Sequence, residues 1–89
     1  MNDDDIVTMV NAALADEFEL EPEALVPEAR IREDLGLDSL DIVDMVIVLE
    51  KAFRFKLPDR EVLAEIRTLG DIHTFIRSLR DSGIVPGDK

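Results

Sequence analysis

Glu33-Asp34-Leu35-Gly36-Leu37-Asp38-Ser39-Leu40-Asp41 runs directly into Ile42-Val43-Asp44-Met45-Val46-Ile47-Val48-Leu49-Glu50. Gly36 supplies the backbone freedom a tight connection needs, and Asp38 stands where an N-cap belongs, just ahead of the most apolar helical segment of the chain. The pattern predicts a helix over 39–53. Ser39 then falls at its start, flanked by Asp34, Asp38 and Asp41. A helix N-terminus carries partial positive charge and favours a phosphate ester. This setting suits a modified serine better than a catalytic one: a nucleophilic serine needs a general base within hydrogen-bond reach, and the only histidine, His73, lies in a different predicted helix. Read in isolation, Asp38-Ser39-Leu40-Asp41 is a plain helix cap.

At roughly 100° per residue, the side chains of 39–53 sort into two groups. Ile42, Met45, Val46, Leu49 and Phe53 share one face and are the expected core. Leu40, Val43, Ile47 and Val48 fall outside that arc, interleaved with Asp41, Asp44 and Lys51, on the side adjoining Ser39. A bundle helix needs one buried stripe, so a second, mixed apolar and acidic stripe points to a binding surface.

Outward from this segment, Asp3 to Asp5 provide a cap and first-turn acids. Ile6, Val10, Ala13, Leu14 and Phe18 then recur at helical spacing, predicting a helix from about Asp4 to Glu17. Residues 19–37 form a long connection with Leu25, Val26, Ile31, Leu35 and Leu37 as apolar anchors, a packed loop rather than a linker. A calcium loop does not fit its carboxylates, because a register from Asp34 puts Gly36 third and Met45 twelfth, where carboxylates are required. Pro58-Asp59 opens a short helix to about Glu65, with Val62, Leu63 and Ile66 inward. Thr68 and Asp71 cap a last helix whose inner stripe is Leu69, Ile72, Phe75, Ile76 and Leu79. His73 falls at the rim of that stripe and is expected to be solvated. The tail, about 81–89, is expected to fray. Together these segments predict an all-α fold: one domain over 1–89, an antiparallel four-helix bundle of three longer helices and a short third one, with a long structured loop between helices I and II.

Charge narrows the partners. The net charge is -11, and residues 1–44 hold 14 acids against 2 bases, whereas residues 45–89 hold 7 acids and 8 bases. Such a chain is repelled by nucleic acid and by anionic membranes and should meet basic partners. There is no cysteine, so any thiol must come from a cofactor. The apolar runs are too short for a membrane span and the Met1-Asn2-Asp3-Asp4-Asp5 start is unlike a signal peptide, which makes a cytoplasmic protein without stable membrane insertion the expectation. No metal site is expected.

The string Glu33 to Asp41, followed by Val43, Leu49-Glu50, Phe53 and Leu57-Pro58-Asp59, resembles the acyl carrier protein family. The likeness is strongest from Glu33 to Asp59, weak in the first helix, and present again through Ile66, Thr68 and the last helix. It implies that Ser39, between Asp38 and Leu40, carries 4'-phosphopantetheine from coenzyme A. It further implies a carrier, not an enzyme, that shuttles acyl thioesters in fatty-acid or polyketide-type synthesis. Its partners would be a phosphopantetheinyl transferase and acyl-loading and acyl-processing enzymes with basic docking patches. Leu40, Asp41, Asp44, Ile47 and Glu50 would form the docking face, to which the angular sorting adds Val43 and Lys51; Val46, Leu49, Val62 and Ile66 are the expected acyl pocket, and a monomer is expected. Lys51, Arg54 and Lys56 depart from the acidic character usual at this end of helix II, which keeps open a free-standing aminoacyl or peptidyl carrier. A helical interaction module without a prosthetic group is the third reading.

Overall fold

The structure, a computed structural model, describes residues 2–56 and 64–85. It contains helix α1 (Asp3–Phe18), a short 3-10 turn at Pro22–Ala24, helix α2 (Ser39–Phe53) and helix α3 (Leu69–Asp81). Among the described residues there is no strand, only an isolated antiparallel bridge between Arg30 and Thr68. The fold is all-helical. Of the short helix expected from Pro58 to about Glu65, all but Ala64 and Glu65 lies outside the described residues, and with it Val62.

All three helices start in the same way. Asn2, Asp38 and Thr68 are extended N-caps whose side chains accept from the backbone N–H three residues on, while Asp5, Asp41 and Asp71 reach back to the cap backbone. Each box satisfies amides that the helix itself leaves unpaired, an effect of about 1 kcal/mol per cap. The observed bounds of α2 are those expected from the sequence, and those of α1 extend one residue further at each end.

Helices α1 and α3 pack antiparallel. Asn11 meets His73 in one layer, and Asp3 meets Arg80 and Arg77 toward the end of α3. The core between the helices is apolar and mostly aliphatic: Ile6, Val10 and Leu14 from α1, Ile42, Met45, Val46, Leu49 and Phe53 from α2, and Leu69, Ile72, Ile76 and Leu79 from α3.

The long loop is held by backbone bonds to the start of α3. Ile31 N donates to Arg67 O, Leu69 N to Ala29 O and Gly70 N to Pro27 O, each at 2.9 Å. The last two bonds supply acceptors to first-turn amides of α3 that no intrahelical carbonyl can reach. Leu25, Ile31, Leu35 and Leu37 are buried as expected of anchors.

Three expectations are corrected. Val26 is not an anchor but 44% exposed; with its neighbour Leu25 turned into the core, its own side chain faces solvent. His73 is not solvated but 4% exposed, because Asn11 of α1 covers the rim of the α3 stripe and bonds to it. Of the tail expected to fray over about 81–89, residues 82–85 instead turn back: Gly83 takes a positive φ of 82°, Ile84 N and Val85 N return to Leu79 O, and Val85 is buried in the core, while 86–89 lie outside the described residues. A glycine in this conformation lets a chain reverse after a helix and pack an apolar residue against it.

Candidate functional site

Ser39 is the first residue of α2 and is exposed. What places it there is the turn over 30–37. Asp34 N and Leu35 N both donate to Arg30 O, at 2.8 and 3.0 Å, Leu37 N closes onto Ile31 O at 3.1 Å, and Gly36 sits at φ 72°. The Asp34 carboxylate accepts from Arg30 N at 2.8 Å, which, with the Arg30 side chain, holds it below the usual carboxylate range. Asp38 and Asp41 are committed to each other's backbone: Asp41 N donates to Asp38 Oδ1 at 2.9 Å and Asp38 N to Asp41 Oδ2 at 3.2 Å. They are structural carboxylates, and neither bonds to the Ser39 hydroxyl.

That hydroxyl has a different partner. Arg32 Nη2 donates to Ser39 Oγ at 2.9 Å. His73, bonded to Asn11 in the α1–α3 interface, takes no part in the site. Among the described residues no base bonds to the hydroxyl, and they offer no activated nucleophile there. It does fit a phosphate ester, since the exposed oxygen lies beside a guanidinium and next to first-turn amides of α2 that have no intrahelical acceptor.

Along α2 the exposed stripe is as the angular sorting predicts. Leu40 is 80% exposed, and Val43 and Ile47 are exposed while Val48 is half-buried. Asp41, Asp44 and Glu50 are half-buried between them and Lys51 is exposed. Asp44 reaches across to Glu17 of α1. A hydrogen bond between these two carboxyls, and then their mutual repulsion, push Glu17 above the ordinary carboxylate range.

A cavity of about 490 Å³ is lined by Arg30, Ile31, Arg32, Glu33, Ile42, Ala64, Ile66 and Arg67, and Arg32 is the lining residue that bonds to Ser39. Of the residues expected to line an acyl pocket, Ile66 borders it; Val46 and Leu49 are buried in the core, and Val62 lies outside the described residues. Arg32 is the site residue that periodicity does not reveal. The available signal was charge, because Arg30 and Arg32 are the two bases of residues 1–44.

Residues 10–76 match the family model described as the phosphopantetheine attachment site. The chain belongs to the acyl carrier protein family. Over 78 residues it is 40% identical to the acyl carrier protein of Thermosynechococcus vestitus (strain NIES-2133 / IAM M-273 / BP-1), an alignment that covers 88% of this chain and 95% of that one. The family is one of carriers rather than catalysts, and its prosthetic group is covalently attached 4'-phosphopantetheine. Among the described residues no helix is long and apolar enough to cross a membrane.

Proposed function

We propose that Ser39 is the attachment site and that the protein carries acyl intermediates between enzymes of fatty-acid or polyketide-type synthesis. The observation that carries this reading is the placement of Ser39: an exposed hydroxyl at the first position of α2, with a guanidinium on its oxygen and no base on it among the described residues. When attached, the arm ends in a thiol and supplies the sulfur that a chain without cysteine lacks. Asp38 and Asp41 fix the start of α2 and so hold the serine outward.

The same reading assigns the stripe Leu40, Asp41, Val43, Asp44, Ile47, Glu50 and Lys51 to docking of a phosphopantetheinyl transferase and of acyl-loading and acyl-processing enzymes. It assigns shelter of the acyl chain to the interior bordered by Val46, Leu49, Val62 and Ile66, where each buried methylene contributes about 0.8 kcal/mol. A monomeric, cytoplasmic single domain over 1–89, with a short helix before Ile66 completing a four-helix bundle, belongs to the same proposal. A second reading, an aminoacyl or peptidyl carrier, draws on the exposed Lys51, Arg54 and Lys56 beyond the acidic half of α2.

The test is intact mass after incubation of the apo-protein with coenzyme A and a broad-specificity phosphopantetheinyl transferase, with Ser39→Ala alongside. A gain of one phosphopantetheinyl unit confined to wild type is expected. A modified Ala variant would falsify the assignment. The mass of the thioester trapped in cells then separates acyl from aminoacyl cargo.

A further inference from the structure

A phosphodiester on Ser39 adds a negative charge where the chain is already most acidic. Fourteen acids and two bases precede residue 45, and Asp34, Asp38 and Asp41 flank the serine. Like charges at short range oppose such a group, and a nearby cation offsets them. Of the two bases, Arg30 is engaged, its backbone N–H and Nε both bonding to the Asp34 carboxylate at 2.8 and 3.5 Å. Arg32 has no carboxylate partner among the described residues, and its Nη2 rests on Ser39 Oγ.

We propose that Arg32 is the positioning residue for the phosphodiester, gripping its non-bridging oxygens and directing the root of the prosthetic arm toward the cavity bordered by Arg30, Arg32 and Arg67. This rests on the assignment of Ser39 above. Once Oγ is esterified, the anionic oxygens lie one atom beyond it, and a planar guanidinium with several N–H donors exchanges one neutral acceptor for two charged ones. The cavity supplies the direction. Its lining sets three arginines and one acid, Glu33, beside Ile31, Ile42, Ala64 and Ile66, a net positive rim, so a chain leaving an anionic root there meets apolar surface next. Arg32 is exposed, so solvent and salt weaken the grip without removing its geometry.

The experiment is NMR on wild-type apo- and holo-protein, with Arg32→Gln, Arg32→Lys and Arg30→Gln holo-proteins alongside. Loading should shift the Arg32 guanidinium resonances and give them a through-hydrogen-bond coupling to phosphorus. The phosphorus line should narrow toward that of a freely mobile phosphodiester in Arg32→Gln, stay intermediate in Arg32→Lys, and stay broad in Arg30→Gln. Peptide mapping of the same samples locates the group. If Ser39 is loaded but the Arg32 resonances do not move, or the phosphorus line is the same in Arg32→Gln, the Arg32 assignment is overturned alone. If Ser39 is not loaded, both assignments fall. Should the transferase refuse the Arg32 variants, the wild-type apo-to-holo comparison decides by itself.

Discussion

Nε2 of His73 lies 2.9 Å from Oδ1 of Asn11, joining the middle of α1 to the first turns of α3 across 62 residues of sequence. The amide oxygen can only accept, so the imidazole donates from Nε2. Burial, and then the charge of Arg77, hold His73 below the ordinary imidazole range. A group whose folded pKa is depressed contributes stability that is present above its unfolded pKa and lost as pH falls through the folded one. The denaturation midpoint should therefore drop as pH falls from about 7 toward 5, a window set by the unfolded imidazole pKa of about 6.5. His73→Gln should flatten that slope. Titration of the His73 ring by NMR checks the cause: a midpoint at or above the unfolded value would remove it.

Glu17 has the opposite sign. Its folded pKa is raised by Asp44, so its favourable contribution is complete below the unfolded carboxylate pKa and is lost as pH rises through the folded value. Glu17→Gln should raise the denaturation midpoint at pH 7. The gain should fade as pH falls below the unfolded glutamate pKa of about 4.3, where Glu17 is protonated in either state, and shrink in about 1 M salt, where the screening length is about 3 Å. A gain independent of both pH and salt would mean that the glutamine acts by packing instead.

Gly36 tests the turn that delivers Ser39. A Cβ there meets nothing within 4 Å, so space is not the constraint, but φ is 72°. A left-handed backbone costs an L-residue about 1–2 kcal/mol. Gly36→Ala should thus lower the melting temperature by about 4–8 °C per kcal/mol for a chain of this size, and Gly36→Asn by less, since asparagine tolerates this conformation. An unchanged melting temperature for Gly36→Ala would show that the turn relaxes, and Ser39 would then be expected to move with it.

These sites also show what a sequence pattern can and cannot carry. The bounds of α2 were legible because the cap, the return carboxylate and the apolar stripe lie within one segment and obey one period: Asp38, Asp41, then Ile42 to Phe53. His73 was misread because its position on its own helix says rim, while its burial is set by Asn11 on another helix. Val85 was misread because a helix stop at Gly83 looks the same whether the chain then frays or folds back. Arg32 reaches Ser39 from seven residues upstream only through the closed turn over 30–37, a three-dimensional relation that no helical or strand period encodes.

The charge split along α2 gives the last prediction, which rests on the proposed docking face. Asp41 is a poor probe because its carboxylate caps the helix, so reversal there would also loosen Ser39. Asp44 and Lys51 do not cap the helix: one lies at the acidic end of the stripe beside Val43, where its reversal also relieves Glu17, the other a turn beyond Ile47 near Lys56. A partner with a basic patch should lose attraction with Asp44→Lys and gain it with Lys51→Glu. An exposed pair is worth at most about 1 kcal/mol, so the KM of a phosphopantetheinyl transferase for the apo-protein should rise by up to about fivefold in the first variant. It should fall by less in the second, and both effects should fade at high salt. Unequal shifts are informative too: a response to Asp44 without one to Lys51 confines the footprint to the first two turns of α2, next to the serine. If neither variant shifts KM at low salt while both remain folded, the transferase does not read this face, and the exposed stripe would have to be assigned to the acyl-processing enzymes alone.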